Sequence, residues 1–281
     1  MRTKKINFIL PNMIECFFIN RLFILLQKNS PTYFNENYVI SGVTGTIDYS
    51  IWNTHRTSKY INFSSFKTIY DFYNKNKISI NFLFENEQIN NEDLYDTFSN
   101  LILKYAHNKN NAVSATSEIL KKYIKRKYPK FKFIEHSQAS EIKKSKEDYI
   151  ILNPICDKNC KLLKAHKQYL DNEQKLYYSP SKIFTCPLKK STSFYDLQTN
   201  PDFVSNDEIK NYINFGFNNF KIEANYITNN TNINYSMFDI IESYIYYLIK
   251  PEFQNEVRNK AVKEYLKSLQ KRSLKNRNEQ H

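Results

Sequence analysis

Along most of the chain, short apolar runs are followed by longer stretches in which apolar residues recur every three or four positions. The first run, Ile6 to Leu10, ends at Pro11-Asn12, and Met13 to Gln27 then repeats Ile14, Phe17, Phe18, Leu22 and Leu25 on a helical period. This is a strand feeding a helix. Tyr38 to Thr46 predicts a second strand, with Gly42 and Gly45 placed where backbone must approach a neighbour or a ligand closely. Phe63 to Asn76 predicts a helix capped by Ser64 or Ser65, and Ile78 to Phe84 a third strand ending at Glu85-Asn86. Asn91-Glu92-Asp93 opens a helix with acidic residues at the positive end of its dipole, carrying Leu94, Phe98, Leu101, Ile102 and Tyr105 on one face. Asn111 to Ser114 reads as a fourth strand, and Glu118 to Tyr128 as a helix stopped by Pro129. Phe131 to Ile134 is a fifth strand running into Glu135, His136 and Ser137, with a helical turn at Glu141 to Lys146. Tyr149 to Leu152 is the sixth, followed by a helix carrying Cys160 and His166 and an irregular stretch through Pro180, Pro187 and Pro201. A helix from Asn206 to near Gly216 and a seventh strand, Phe220 to Glu223, come next; Ser236 to Lys250 and Glu252 to Lys271 are helices meeting at Pro251.

Repeated strand-helix alternation with short connections predicts parallel strands and right-handed crossovers. The expected class is α/β, a TIM-type (β/α) barrel over residues 1–250 with an extra C-terminal helix and basic tail over 251–281. Seven strands are one short of a full barrel, so either the irregular stretch hides an eighth or the barrel is truncated. No strand is followed by a glycine-rich phosphate loop, which argues against Rossmann and P-loop folds.

Composition narrows the class further. Of 281 residues, 41% are hydrophobic and 25% charged, which excludes a disordered or membrane-embedded chain. Twenty-one Phe and 22 Tyr beside three Gly point to codon bias toward A and T. That bias weakens the meaning of lysine-rich faces and of the sequons at Asn62, Asn229 and Asn234. A formal charge of +13 attracts polyanions. Much of it sits in Arg258 to Arg277 and Lys121 to Lys132, where solvated helix faces are the simpler explanation. RNA is thus one candidate partner, beside a small-molecule substrate or a protein; oligomeric state is open. The basic, apolar start is interrupted by Pro11, Glu15, Asn20 and Arg21 before it reaches spanning length, so no membrane segment and a cytoplasmic location are expected.

Chemistry concentrates between Asp148 and Cys186, where three of the four cysteines surround His166. Thiolates at short separation hold zinc or an iron-sulfur cluster. Cys156 and Cys160 are separated by three residues, wider than most zinc knuckles, so buried thiols are an equal alternative. Four cysteines in a chain of this size make no disulfide framework, and their clustering points to a reducing compartment.

In a parallel barrel the carboxyl ends of the strands form the working face. The strand assignments bring Asn12, Glu85, Asn86, His136, Asn153, Cys156 and Glu223 there. Glu223 and His136 are the catalytic candidates for acid-base work, and Asn153, Glu85 and Asn86 the cofactor-binding ones. Ion pairing of the carboxylates and a hydrogen-bonded wall role for the imidazole are the simpler alternatives. Lys221 shares a strand face with Glu223, which suits an ion pair inside the barrel. Trp52, Asn53, His55 and Arg56 form either a stacking and anion-binding loop or a solvated one.

The segments NPICDKNC, with His166 downstream, the Cys186-Pro187 pair and NYINFGFNNFKIEA resemble the C-terminal half of the collagenase-like peptidase family, peptidase family U-thirty-two, over Tyr149 to Tyr226. The resemblance implies a barrel with a four-cysteine iron-sulfur cluster, and oxygen-independent hydroxylation of transfer RNA or of quinone precursors; other members are labelled proteases. It assigns Cys156, Cys160 and Cys186 as cluster ligands and Glu223 as the acidic residue closing the late strand, and it leaves the fourth ligand open between Cys16, should the first strand end beside the sixth and seventh, and His166. Ala224-Asn225 stands where the family has Gly-Arg, removing a cation that could hold a phosphate or carboxylate. Proteolysis is disfavoured, because no serine or cysteine has an evident base and no His-Glu zinc helix is present. The expectation is a barrel with a cysteine-bound iron-sulfur or zinc centre that modifies RNA or a biosynthetic precursor. The alternative is a non-catalytic barrel that binds a protein or RNA, its cysteines structural.

Overall fold

The structure, a computed structural model, describes residues 5–47, 50–53, 61–137, 149–152, 175–178, 205–214, 217–222 and 237–278. Eight strands carry the fold: β1 (Ile6–Leu10), β2 (Tyr38–Thr46), β3 (Ser79–Phe84), β4 (Ala112–Ala115), β5 (Lys132–Ser137), β6 (Tyr149–Leu152), β7 (Lys175–Tyr178) and β8 (Asn219–Lys221). Each pairs in parallel with its sequence neighbours, and β8 returns to β1, closing the barrel. The helices are α1 (Phe17–Asn29), α2 (Phe63–Lys75), α3 (Thr97–Ala106), α4 (Glu118–Lys127), α5 (Asn206–Asn214), α6 (Met237–Leu248) and α7 (Gln254–Asn278).

The eighth strand is the one hidden in the irregular stretch. Lys175-Leu176-Tyr177-Tyr178 lacks the β-branched run that marks β6, yet it pairs with β6 in register from Tyr149↔Lys175 to Leu152↔Tyr178. The barrel is therefore complete rather than truncated.

Helix starts follow side-chain capping more than the apolar period. Before α1, Met13 to Cys16 form turns rather than the expected first helical turn, with Cys16 as N-cap. Asn62, not Ser64 or Ser65, caps α2, its Oδ1 accepting from Ser65 N at 2.8 Å. At α3 the acidic stretch forms a short 3-10 turn, Asp93–Tyr95, and Asp96 caps the helix. That late start moves the buried face to Ser99, Ile102, Leu103 and Ala106, leaving Leu101 outward at 42% exposure. Ser117 caps α4, which ends at Lys127 just before Pro129.

Strand side chains alternate between the outer surface of the barrel and its lumen. Outward go Phe8, Leu10, Ile80, Phe82, Phe84 and Phe220, all buried in the core shared with helix residues such as Phe23, Phe66, Ile102, Ile124 and Tyr244. Each fully buried aromatic or branched side chain contributes roughly 1.5–3 kcal/mol, so this outer layer dominates stability. In β2, a register shift opposite Phe8/Ile9 lets Ser41 bulge out, and the two glycines serve neighbours rather than a ligand. A Cβ on Gly42 would lie 2.4 Å from Ser79 Oγ, and one on Gly45 2.9 Å from Met13 Cγ.

The last helix packs on α6 and α1. Val257 and Ala261 are buried, Tyr265 meets Phe238 edge-on, and the Arg258 guanidinium grips the Glu242 carboxylate with two hydrogen bonds of 2.7 and 2.9 Å. No helix among the described residues is long and apolar enough to cross a membrane.

Candidate functional site

Among the described residues, the lumen holds a buried apolar cluster of its own, Ile9, Ala112 and Ile134, apart from the outer core. Polar residues stand at several other inward positions of β1 to β4 and β8. Asn7 on β1 donates to Asn219 Oδ1 on β8 at 2.9 Å, and Ser79 Oγ donates to the Ser41 carbonyl at 3.1 Å. Thr44 pairs in register with Asn81, and Asn81 with Ala112; Ser114 lies one inward position beyond Ala112. Thr44, Asn81, Ser114 and Lys221 are all buried, at 3%, 3%, 6% and 6% exposure. Thr46 and Leu83, also paired in register and half-buried, form the rim on that side. Toward its carboxyl end the described part of the lumen is therefore a hydrogen-bonding surface.

The loops above it are fastened from below and from the side. Asn12 follows β1 at a φ of 46°, a left-handed backbone that asparagine tolerates well, and its carbonyl accepts from Cys16 N at 2.9 Å. Beneath this turn, Asn20 Nδ2 donates to the Pro11 carbonyl at 3.0 Å and to the Tyr73 hydroxyl at 3.3 Å. That hydroxyl donates in turn to the Met13 carbonyl at 3.0 Å. Burial pushes the Tyr73 hydroxyl far above the ordinary tyrosine range, so it remains a donor at any working pH.

Trp52 and Asn53 belong to this framework. Trp52 is fully buried, its Nε1 donating to the Asp93 carbonyl at 2.7 Å and its ring edge-on to Phe84 at 5.2 Å. The expected stacking or solvated role is thus corrected for Trp52: an indole this large contributes more by filling the core than by waiting for a ligand. Asn53 Nδ2 donates to the Ile47 carbonyl at 3.0 Å while its Oδ1 accepts from Glu85 N at 3.1 Å, tying the end of β2 to the end of β3. His55 and Arg56 lie outside the described residues.

The candidate site residues fall into three groups. Glu85 and Asn86 do follow the carboxyl end of β3. The Glu85 side chain is exposed, whereas Asn86 is taken up by the loop, Nδ2 donating to the Ile51 carbonyl at 2.8 Å and Oδ1 accepting from Gln88 N at 2.9 Å. His136 lies near the carboxyl end of β5, in register with Ile151 of β6. Cys16 is a fully buried thiol in the outer core, near enough to the Tyr73 hydroxyl to influence it. Its strand neighbours are β2 and β8, so β7 and β8 stand between β1 and β6. Asn153, Cys156, Cys160, His166, Cys186 and Glu223 lie outside the described residues. Among the described residues, no three His, Cys, Asp or Glu side chains group as a metal site.

Thr44, Asn81 and Ser114 were missed as a set by strand reading alone. Their signal was present, because parallel strands covered on both faces normally read as continuous apolar runs, and polar residues two apart break that rule.

No family model matches the chain, and no curated protein matches it. Among solved structures, it is similar to the U32 peptidase Mk0906, with a TM-score of 0.45 and 10% identity over 82% of this chain and 96% of that one. It is also similar to a native KDPGal structure, with a TM-score of 0.44 and 11% identity over 96% of this chain and 98% of that one.

Proposed function

We propose that the protein binds a small polar molecule in the carboxyl-end mouth of its barrel and acts on it with a cysteine-held iron-sulfur or zinc centre. The observation that carries the binding part is the buried polar surface of Thr44, Asn81, Ser114 and Lys221, where a purely structural barrel packs branched apolar side chains. Polar side chains at such positions offer donors and acceptors that can orient a small polar ligand.

Chain geometry supports the metal part. Cys156 and Cys160 come four and eight residues after the carboxyl end of β6 at Leu152, and Cys186 eight after that of β7 at Tyr178. β6 and β7 are parallel paired neighbours, so their carboxyl ends, Leu152 and Tyr178, lie side by side. His136, on β5 beside β6, is the proposed proton carrier. The substrate class is a biosynthetic precursor or a nucleoside within RNA.

The test is iron, zinc and acid-labile sulfide analysis of anaerobically purified protein, in wild type and in Cys156→Ala, Cys160→Ala, Cys186→Ala and Cys16→Ala. Bound metal that falls in the first three variants supports the reading. A folded wild-type protein without iron or zinc overturns it and leaves the non-catalytic, partner-binding barrel.

A further inference from the structure

The opposite end of the barrel carries a groove that the carboxyl-face reading does not use. It has a volume of about 360 Å³ and lies where α1 and α2 end and β2 and β3 begin. Its apolar floor is Ile24, Val39, Ile40 and Ile78. Three lysines, Lys28, Lys75 and Lys77, stand around it, all exposed, and among the described residues no carboxylate lines it.

The neutral polar groups in the groove are largely spent on the fold. Gln27 Nε2 donates to the Tyr38 carbonyl at 3.0 Å while its Oε1 accepts from Ile40 N at 2.9 Å, and Asn76 Nδ2 donates to the Phe72 carbonyl at 2.8 Å. The carbonyl end of α2 is also closed: Lys77 N donates to Asn74 O and Ile78 N to Tyr73 O, both at 3.0 Å. The side-chain donors left for a visitor are the ammonium groups. A lysine near a helix carboxyl end ordinarily offsets about half a unit of negative charge, so two helix ends answer roughly one of the three charges and leave about two over.

Lys77 is the telling residue. It holds a φ of 60°, the left-handed position that closes a helix and that glycine fills without strain. A lysine there carries a backbone cost that glycine does not. Backbone of this kind clusters at active sites and ligand clamps, and at Lys77 it coincides with a place on the edge of the groove.

We propose that this groove is a second ligand site, taking a small organic anion whose phosphate or carboxylate headgroup meets Lys28, Lys75 and Lys77 and whose apolar body lies on Ile24, Val39, Ile40 and Ile78. It is independent of the metal centre and of the carboxyl-end mouth.

The experiment is calorimetric titration of the full chain with hexyl phosphate, hexanoate and inorganic phosphate. At least one of the two hexyl probes is expected to bind, the tighter one identifying the headgroup, and inorganic phosphate to bind at least tenfold more weakly, since two buried methylenes already supply that factor. Lys77→Gly is expected to weaken binding tenfold or more while raising the thermal midpoint, so that loss of affinity cannot be loss of fold. Lys28→Gln is the second variant, with the same loss of affinity and an unchanged fold. No binding by either hexyl probe, affinity equal to that of inorganic phosphate, or affinity unchanged in both variants would each overturn the proposal. Failure here leaves the metal analysis untouched, and the reverse holds as well.

Discussion

The Tyr244 hydroxyl donates to Asn20 Oδ1 at 2.6 Å across 224 positions of sequence, in the buried space between α6 and α1. With the two hydrogen bonds from Asn20 Nδ2, one amide thus serves α6, α2 and the turn after β1. Replacing Asn20 by Leu removes one hydrogen bond each from the Tyr244 hydroxyl, the Pro11 carbonyl and the Tyr73 hydroxyl, the last of which keeps its bond to the Met13 carbonyl. The expected loss is about 2–4 kcal/mol, because each buried polar group left unpaired costs roughly 1–3 kcal/mol and some relaxation follows. Urea unfolding monitored by tyrosine fluorescence checks it, and a loss below about 0.5 kcal/mol, the scatter of ordinary surface substitutions, would show the network to be ornamental.

Filling the lumen separates binding from stability. Asn81→Leu puts an apolar side chain where a buried amide faces the barrel interior. Thermal stability should be held or raised, while binding or turnover in the carboxyl-end mouth falls at least tenfold, about 1.4 kcal/mol. Equal loss of both would mean that Asn81 is part of the packing and not of the site.

The Arg258 and Glu242 pair fastens α7 to α6 with side chains 28% and 15% exposed. Arg258→Ala leaves a carboxylate only partly open to water. The cost should fall between that of an exposed pair and that of a buried one, about 1–2 kcal/mol. Limited proteolysis should then release the C-terminal helix before the barrel is cut.

His107 gives a pH signature. Its Nε2 accepts from Lys130 N at 2.9 Å, and burial, with the nearby Lys130 charge, lowers its pKa below 6.5. A folded-state pKa below the unfolded one means that the unfolded chain binds the proton more readily. The contribution to stability is present above pH 6.5 and is lost as pH falls through the depressed value. Denaturant midpoints measured from pH 8 to 5 should decline more steeply in the wild type than in His107→Gln. Parallel curves would remove His107 as the cause.

How much of this was legible beforehand depended on the length and contrast of each pattern. Long amphipathic stretches such as Phe63–Lys75 and Met237–Leu248 were readable because a dozen residues share one period. Lys175–Tyr178 was not, because four residues with a lysine and two tyrosines carry too little contrast; its strand character comes from its neighbours on either side. At Leu101 the apolar count was right and the phase wrong, since a capping aspartate, not the acidic stretch before it, set where the helix began. Trp52 was misjudged because sequence shows a tryptophan among loop residues and cannot show the turn at Asp93 and α4 meeting it. The cysteines were the most legible chemistry in the sequence, yet only Cys16 falls among the described residues.

The barrel closes through a short strand. Asn219, Phe220 and Lys221 of β8 lie between β1 and β7, so three residues join the first strand of the chain to the seventh. A sheet closed on itself offers no edge for another chain to extend, so the join made at those residues also guards the protein against strand-to-strand aggregation.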